Sequence, residues 1–558
     1  MLLGVLNARN TPAIYSKESS RAQRGDIISA DGFHLATTEK LYKAIVNTRY
    51  IDPQKKELFV ELFHIYSGVE KSEILERLSS RSGPVVLSYN IQEKQAQYLK
   101  KLAYELRRYN VFMELKNKTT GLITMHGLSV IESGESRIYP YGKLLTPVIG
   151  YPHKEERDGY TFIKGVRGLE KRFDVELSPR QDGSIRGMRD VNGYIILNKN
   201  SVTKPKMDGL DIKLTIPVSL QIKMERMLDK MKEEFGALQV MLAVMDMKTS
   251  NLLTLASSNR FLPKDIQYSD YPSLRTSAIE YSFEPGSVVK PITFSILLEK
   301  GLVNPYDLVN GHNGHFRIGR KVITDEHRFD WLSAENAIVY SSNIAMAQLA
   351  QKLSGYTFNQ GLLDFGFSKK SINDLSYERV GSLPNQQQLD NEIYKATASY
   401  GYGMHANLMQ LIRAYSVFNN NGAMLTPRLL DSFIDNYGTS KTIPKVEAVE
   451  VLKSSTAQRV KKILIKTVQK GTGKKARIPG LEIGGKTGTA HIVEKGVYVD
   501  KYNTSFMGFA NDAKSKYIIG VVVIQPQSSQ FASQTAVPVF KKAVEIMIED
   551  GYLKPESK

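Results

Sequence analysis

Apolar and polar positions follow different patterns on either side of residue 205. Before that point, short strand-like runs alternate with charged stretches, and residues 57–66 and 91–106 place apolar side chains at steps of three and four. Such spacing predicts amphipathic helices that lie on a surface. Because 558 residues are also too many for one ordinary core, we expect two domains, residues 1–205 and residues 206–558.

The second half has the patterns of a domain that mixes a sheet with helices. Its strand-like runs are residues 210–216, 239–247, 252–257, 483–490, 506–510 and 517–525. Its stretches of helical periodicity are residues 219–234, 287–351, 395–419 and 537–548. This order predicts an α+β fold in which helices flank an antiparallel sheet and a helical lobe is inserted. For the first half we expect an elongated α+β pedestal.

A serine and a lysine three residues apart, Ser287 and Lys290, form the strongest chemical signal in the chain. A serine hydroxyl is a poor nucleophile until a base takes its proton, and a lysine one helical turn later lies on the same face. Pro285 and Gly286 suit a loop that leads into a helix, so we expect Ser287 at a helix N-terminus, where backbone N–H groups favour developing negative charge. One turn of chain would then supply the nucleophile, its base and part of an oxyanion site.

A second copy of this spacing, Ser201 and Lys204, lies in a polar stretch that we interpret as a solvated linker. The first copy is distinguished by a second motif, because Ser341 and Asn343 follow it and precede a run of apolar positions at helical spacing. The Ser-x-Asn pattern is common by itself, since serine and asparagine also favour turns and caps. Its position after Ser287 makes it informative.

A third motif lies in a strand-like segment that contains glycines. Glycines before and within it allow a ligand to approach the backbone closely. The motif residues are Lys486, Thr487, Gly488 and Thr489. The ordered set Ser-x-x-Lys, Ser-x-Asn and Lys-Thr-Gly is typical of penicillin-recognising serine enzymes.

On these motifs the chain resembles a class B penicillin-binding protein, a monofunctional peptidoglycan D,D-transpeptidase. Residues 24–36 and 165–174 resemble that family's N-terminal signatures, and residues 400–411 resemble a segment of its transpeptidase domain where a helix starts. Residues 498–509 are similar to the division-specific FtsI branch. The resemblance implies a penicillin-binding-protein and serine β-lactamase-like fold for residues 206–558, preceded by a pedestal or dimerisation-type domain.

The resemblance also implies a serine acyl-enzyme. Ser287 would attack the carbonyl of the penultimate D-alanine of a peptidoglycan stem peptide, and Lys290 would accept its proton. For that role the pKa of Lys290 must fall from about 10.4 to roughly 7, and partial burial and the charge of Lys486 are the expected causes. Ser341 would relay a proton to the leaving amine, while Asn343 would orient Lys290 and the substrate amide.

The third motif would bind the substrate. The resemblance assigns this binding to Lys486, Thr487, Gly488 and Thr489, with the lysine and the two threonines on the substrate carboxylate. The backbone N–H groups of Ser287 and Thr489 would form the oxyanion hole. The amine of a neighbouring stem peptide would resolve the acyl-enzyme, and no metal or organic cofactor is implied.

Charge and composition argue against several other classes of protein. The net charge of +18 is spread along the chain without a basic block interleaved with aromatics, so no nucleic-acid partner is expected. The absence of cysteine excludes disulfides and a thiol nucleophile, and the nine histidines form no helical pair that would hold zinc. A glycine-rich segment, residues 471–475, lacks the spacing of a phosphate-binding loop and is interpreted as a flexible turn.

The sequence and the resemblance together suggest a location and partners. No apolar run approaches the roughly 20 residues that cross a bilayer, and residues 1–6 form only a short apolar stub. The stub is either the end of an anchor trimmed from this chain or the start of a soluble protein, and the resemblance favours the first, because family members usually have one N-terminal anchor. The expected location is the periplasmic side of the bacterial inner membrane at the division septum. The expected partners are stem peptides, β-lactam antibiotics, the septal glycosyltransferase and other division proteins.

Other functions stay open from the sequence alone. An elongation-type transpeptidase would carry the same motifs. A D,D-carboxypeptidase or a β-lactamase-type hydrolase would resolve the acyl-enzyme with water, although the long first half argues against a free β-lactamase. A non-catalytic β-lactam sensor or division scaffold would bind without turnover, although complete motifs weigh against an idle site. The rate at which a penicillin adduct is lost would separate these functions.

Overall fold

The computed structural model describes residues 15–113, 127–157, 159–188, 195–494 and 496–556, together with the backbone of residues 115–116 and 123–124. The stub at residues 1–6 lies outside the described residues. Within the part that is described, no helix is both long enough and apolar enough to cross a membrane.

The first half mixes strands and helices. Its strands are β1 (Tyr15–Ser20), β2 (Ile27–Ile28), β3 (His34–Asn47), β4 (Pro84–Gln92), β5 (Leu115–Lys116), β6 (Ile123–Thr124), β7 (Ser129–Ile138), β8 (Pro152–Arg157), β9 (Tyr160–Gly165), β10 (Gly183–Met188) and β11 (Val202–Lys204). Its helices are α1 (Lys56–Ser67), α2 (Lys71–Ser80), α3 (Glu93–Arg108), α4 (Thr146–Ile149), α5 (Gly168–Arg172) and α6 (Asp174–Leu177). The predicted helices at residues 57–66 and 91–106 correspond to α1 and α3.

The second half contains a longer series. Its strands are β12 (Asp211–Leu214), β13 (Gln239–Asp246), β14 (Leu252–Ser257), β15 (Leu308–Asn310), β16 (His315–Ile318), β17 (Lys321–Thr324), β18 (Trp331–Ser333), β19 (Ala423–Met424), β20 (Leu430–Ile434), β21 (Ser440–Thr442), β22 (Val449–Glu450), β23 (Glu482–Glu494), β24 (Val497–Asn511) and β25 (Lys516–Ile524). Its helices are α7 (Val218–Phe235), α8 (Ser277–Glu280), α9 (Lys290–Glu299), α10 (Ala334–Val339), α11 (Asn343–Ala350), α12 (Gly355–Asp364), α13 (Gln386–Asp390), α14 (Glu392–Ala398), α15 (Leu408–Asn419), α16 (Ser454–Lys470) and α17 (Ala536–Glu549).

An antiparallel sheet with the strand order β14–β13–β25–β24–β23 forms the centre of the second half. Alternate residues of its strands belong to different cores. Val240, Leu242 and Val244 of β13 pack in the core that contains α7 and α17, whereas Met241 and Ala243 pack in the core that contains α9 and α15. Because both faces are covered, the strands are apolar along almost their whole length. The α+β fold class is therefore confirmed.

One helical prediction is wrong in part. The stretch at residues 287–351 contains β15, β16, β17 and β18 between α9 and α10. These strands are three or four residues long. Runs this short do not show a hydrophobic period, so the helices on either side dominated the pattern.

A second sheet connects the two halves of the chain. Its strand order is β21–β20–β12–β2–β3–β7–β9–β8, with β4 paired to β3. β12 pairs in parallel with β2 and antiparallel with β20, so strands from both predicted domains share hydrogen bonds. The boundary after residue 205 stays a prediction, and the sheet continues across it.

Buried ion pairs join the two N-terminal signature segments. Arg24 lies 2.8 Å from Glu170 and 2.8 Å from Asp174, and Arg137 lies 2.7 Å from the other carboxylate oxygen of Glu170. Arg24 and Glu170 are buried, where a charge is tolerated only with its partners. These pairs therefore hold the two signature segments against each other.

A separate hydrophobic core lies under α1, α2 and α3, which pack against β3 and β4. We call the chain between β3 and β7, residues 48–128, the side lobe. Its core shares no residue with the core that contains Ile27, Leu169 and Leu177 of the first half together with Ile212 of the second. The side lobe is thus packed independently of the second half, while the rest of the first half is not.

Candidate active site

Ser287 lies in a 3₁₀ turn, Gly286–Val289, that leads directly into α9 at Lys290. Gly286 has a φ of 61°, which side chains rarely adopt, and a Cβ at this position would lie 2.8 Å from the carbonyl oxygen of Thr489. The glycine thus lets β23, which carries the third motif, pass close beside the turn. The structure places Ser287 at the start of a helix, as the local sequence predicts.

A chain of hydrogen bonds connects the first two motifs. Lys290 Nζ donates to the carbonyl oxygen of Ser341 at 2.6 Å and to Ser341 Oγ at 3.1 Å. Ser341 Oγ in turn donates to Ser287 Oγ at 3.1 Å. The three predicted residues are therefore in contact, and the hydroxyl of Ser341 stands between the candidate base and the candidate nucleophile.

Burial controls the protonation of Lys290. Its side chain is fully buried, and burial lowers its pKa to about 7, while the carboxylates of Asp325 and Glu326 act in the opposite direction. An amine with this pKa is neutral in about half of the molecules at pH 7, so the form that a general base needs is well populated near neutral pH. The expected contribution of Lys486 is not among the charges that act on Lys290. Instead, the charge of Lys290 helps to lower the pKa of Lys486, after burial.

Asp325 holds the second motif in place, although no sequence motif points to it. Its carboxylate accepts hydrogen bonds from the Ser342 hydroxyl and from the backbone N–H groups of Asn343 and Ile344, at the start of α11. Ser341, the residue before Ser342, has a φ of 63°, a backbone conformation that costs energy for a residue other than glycine. The capped helix therefore keeps Ser341 in the strained position from which it reaches Lys290.

Asn343 lies on the wall of the cleft, but its hydrogen bond differs from the predicted one. Its Nδ2 donates to the carbonyl oxygen of Thr324 at 3.1 Å, at the end of β17. Among the described residues, no hydrogen bond joins Asn343 to Lys290. Any orienting effect of Asn343 on Lys290 in this structure is indirect, through the start of α11.

The third motif lies on β23, where its residues have different environments. Lys486 is fully buried, and its Nζ donates to the carbonyl oxygen and to Oγ1 of Thr487 at 3.1 and 3.2 Å. Thr487 and Thr489 line the cleft. A Cβ at Gly488 would lie 2.4 Å from the Oγ of Ser505 on β24, so the glycine is required by packing behind the strand.

The three motifs meet at one cleft with a volume of about 690 Å³. Ser287, Ser341 and Asn343 lie on its wall together with Thr487 and Thr489. Several other residues that line it belong to none of the three motifs. These are Thr324, Asp325, Glu326, His327, Tyr340, Tyr402, Thr472, Lys474, Lys475, His491, Tyr502, Gln530 and Phe531. Tyrosine and lysine in loops give no local signal that they will face a cleft.

Two other sequence interpretations are corrected by the structure. Ser201 and Lys204, interpreted as a solvated linker, are in an exposed segment that forms an edge strand, β11, and the Ser201 hydroxyl donates to the carbonyl oxygen of Ile196. The supposed flexible turn at residues 471–475 is fixed, because the N–H groups of Gly471 and Gly473 both donate to the carbonyl oxygen of Thr467. Within the described part of the chain, no cluster of acidic or histidine side chains could hold a metal ion.

Comparison with known families gives two matches that together span most of the chain. A family model described as the penicillin binding protein transpeptidase domain matches residues 240–545, which is more than half of the chain. A second, described as the penicillin-binding protein dimerisation domain, matches residues 19–214.

Individual relatives match over long stretches at moderate identity. Stage V sporulation protein D of Bacillus subtilis (strain 168) is 27% identical over 549 residues, which cover 96% of this chain and 79% of that protein. Peptidoglycan D,D-transpeptidase FtsI of Buchnera aphidicola is 27% identical over 444 residues, which cover 78% of this chain and 73% of that protein. The crystal structure of penicillin binding protein 2X from Streptococcus thermophilus has a TM-score of 0.77 at 22% identity and covers 97% of this chain and 83% of that chain, which shows a shared fold.

Proposed function

The chain belongs to the class B penicillin-binding proteins, a family of β-lactam-binding peptidoglycan D,D-transpeptidases, and on this premise we propose that Ser287 is the acylated residue. The observation that carries the proposal is the hydrogen-bonded chain from Lys290 Nζ through Ser341 Oγ to Ser287 Oγ. It joins a hydroxyl to an amine that is able to accept its proton near neutral pH.

In the acylation step, Ser287 Oγ attacks the carbonyl carbon of the penultimate D-alanine. Its proton passes to Ser341 Oγ, while the proton of Ser341 passes to Lys290 Nζ. When the tetrahedral intermediate collapses, the same path returns a proton to the amine of the terminal D-alanine, which leaves. The product is an ester between Ser287 and the shortened stem peptide.

In the transfer step, an amine of a neighbouring stem peptide attacks this ester. Lys290 removes the proton of the attacking amine through Ser341, and Ser287 leaves with a proton as the new amide bond forms. Backbone N–H groups of Ser287 and Thr489 stabilise the oxyanion of both intermediates. The hydroxyls of Thr487 and Thr489 bind the carboxylate of the donor peptide, since both line the cleft beside Ser287.

The proposed cellular role is cross-linking of the septal wall during division. The FtsI relative and the similarity of residues 498–509 to the division branch support this role. The proposed location is the periplasmic side of the inner membrane, with the chain held by an N-terminal anchor. The proposed partners beyond the wall peptides are the septal glycosyltransferase and other division proteins.

The test uses a fluorescent penicillin on the wild-type chain and on Ser287→Ala. We expect one label per wild-type chain, mapped to Ser287 by peptide mass spectrometry, and no label on the variant. The adduct should persist for many minutes, and a stem-peptide donor should be transferred to an added amine acceptor. Label on Ser201, or rapid hydrolysis of the adduct, would contradict the transpeptidase assignment.

A further inference from the structure

The third-motif lysine lies behind the surface of the cleft. Lys486 has no exposed area, and both of its hydrogen bonds go to the neighbouring Thr487. Burial also lowers its pKa well below the usual range. A substrate carboxylate in the cleft therefore meets the hydroxyls of Thr487 and Thr489, and an exposed positive charge must come from other residues if one is used.

The segment after α16 is attached to this part of the cleft. Thr472 Oγ1 lies 2.7 Å from Thr487 Oγ1, within hydrogen-bond distance. A Cβ at Gly471 would lie 2.1 Å from the carbonyl oxygen of Val339, so the segment also packs tightly against α10. The position of residues 471–475 relative to the third motif is thus fixed by contacts on both sides.

Lys474 and Lys475 follow directly and line the same cleft as Ser287. Both lysines are exposed. On the helix before them, Lys461 and Lys466 form ion pairs with Glu482 and Glu335 at 2.6 and 2.8 Å. In the part of the chain that the structure describes, no carboxylate forms such a pair with Lys474 or Lys475. Two cations are therefore available at the cleft.

Acidic residues lie elsewhere on the wall of this cleft. Asp325 and Glu326 line it beside the second motif. The carboxylate of Asp325 is occupied by hydrogen bonds from the start of α11, whereas Glu326 is exposed. An anion that approaches the cleft is thus attracted towards the two lysines and repelled by Glu326.

We propose that Lys474 and Lys475 attract the carboxylate of the acyl donor and direct it to the hydroxyls of Thr487 and Thr489. The inference rests on the proposed function, since it concerns the donor that acylates Ser287. It assigns the long-range attraction to the two exposed lysines and the short-range contact to the threonines. Stem peptides and penicillins both carry this carboxylate, so both should depend on the two lysines.

The test is the second-order rate constant for acylation by benzylpenicillin, measured against KCl concentration. The test variant is Lys474→Gln/Lys475→Gln. The matched control is Lys230→Gln/Lys462→Gln, which removes two exposed charges from α7 and α16 away from the cleft lining. At about 0.01 M salt we expect the test variant to react roughly tenfold more slowly than the wild type, with a flatter salt dependence. At about 1 M salt the two rates should converge, because the Debye length falls to about 3 Å.

Other outcomes have distinct meanings. Equal rates at low salt, an equal loss in the control variant, or a loss that persists at about 1 M salt would each overturn the inference. Lys474→Glu/Lys475→Glu should be slower still at low salt, and circular dichroism should show that each variant is folded. Failure of the wild-type chain to acylate at Ser287 would instead contradict the proposed function, so the two failures are distinguishable.

Discussion

Lys290 Nζ donates to both the carbonyl oxygen and the hydroxyl of Ser341, at 2.6 and 3.1 Å. A neutral amine has two N–H groups and one lone pair. In the neutral amine, one N–H keeps the hydrogen bond to the carbonyl oxygen, while the hydrogen bond with Ser341 Oγ reverses, so that the lone pair accepts the proton of that hydroxyl. The positive φ of Ser341 brings its carbonyl oxygen and its hydroxyl to the same amine. The strained conformation therefore serves the proton path directly.

Replacing Lys290 with arginine should abolish most of the acylation. Arginine keeps the positive charge but does not lose its proton near neutral pH, so it cannot accept the proton from Ser341. We expect Lys290→Arg to lower the acylation rate constant for penicillin by about 10²–10⁴-fold.

Lys395→Arg is the matched control, because Lys395 is also buried and donates to the carbonyl oxygen of Leu353. It should acylate near the wild-type rate, with folding of both variants checked by thermal unfolding. Near-normal acylation by Lys290→Arg would show that another group is the base.

The acylation rate should depend on pH through Lys290. Its pKa of about 7 means that the amine is protonated and inactive below this pH, and neutral and active above it. The rate should therefore rise as the pH increases from about 5 to about 8, with its midpoint near pH 7, and become constant at higher pH. Rates of penicillin acylation across this range give the apparent pKa.

The same profile tests the role of a carboxylate in the cleft. The charge of Glu326 raises the pKa of Lys290, in opposition to burial. Glu326→Gln should therefore shift the rising limb of the pH profile to lower pH. Asp330→Asn, which changes another exposed acid of the same loop, should leave it in place. A shift to higher pH in Glu326→Gln would mean that this carboxylate does not act on the amine.

The sequence predicted those parts of the site that depend on neighbouring residues. Ser287 and Lys290 lie on one turn, so their spacing alone brought them together. The helices α1 and α3 were predicted for the same reason, because amphipathic periodicity is a local property. The strand-like runs at residues 239–247 and 252–257 were likewise local signals, and they correspond to β13 and β14, which pair antiparallel.

Features that depend on distant contacts could not be predicted in this way. Asp325 accepts hydrogen bonds from the start of α11 because the chain folds back between residues 325 and 343. Thr472 contacts Thr487 because the chain folds back between those two residues. Nothing in the residues around Asp325 or Thr472 indicates such a partner. The complete burial of Lys486 could not be predicted either, because it results from the packing of helices over both faces of the central sheet.

Gly401 should be essential for the position of the nucleophile. The N–H of Gly286 donates to the carbonyl oxygen of Gly401 at 3.2 Å, and a Cβ at Gly401 would lie 2.2 Å from the carbonyl oxygen of Gly286. Gly401 also has a φ of 88°. We expect Gly401→Ala to destabilise the fold by about 2 kcal/mol or more. We also expect acylation to be about 100-fold slower, because the Ser287 turn must move.

Gly403→Ala is the control for backbone strain without a clash. Gly403 has a φ of 73°, but no atom lies within 4 Å of a Cβ built there. Its acylation rate should stay near that of the wild type, although it should lose some stability. Denaturant unfolding and penicillin acylation, measured on both variants, separate the two effects. Equal loss of acylation in both would mean that strain, and not the contact with Gly286, affects Ser287.

The side lobe, residues 48–128, should be dispensable for acylation, whereas residues 1–205 as a whole should not be. Ile45 of β3 pairs with Ser129 of β7, so a four-residue loop, Val46 and Asn47 followed by an added Asn-Gly, can join the two strands in place of the lobe. The core under the lobe helices includes Tyr42, Ala44 and Val46 of β3 and Val130 of β7, but it shares no residue with the core of the second half. We expect this variant to acylate penicillin within about twofold of the full chain, because distant sites act independently.

Deleting residues 1–205 should instead prevent folding of the second half. The deletion removes β2 from beside β12 and exposes the part of the core in which Ile27 and Leu177 pack with Ile212 and Leu214. A fragment of residues 206–558 that is soluble and is acylated by penicillin would contradict this expectation.

In cells, the variant without the side lobe tests whether the lobe recruits division partners or acts only as a spacer. If the lobe recruits division partners, this variant should bind penicillin normally and fail at the septum, whereas normal division would limit the lobe to a spacer.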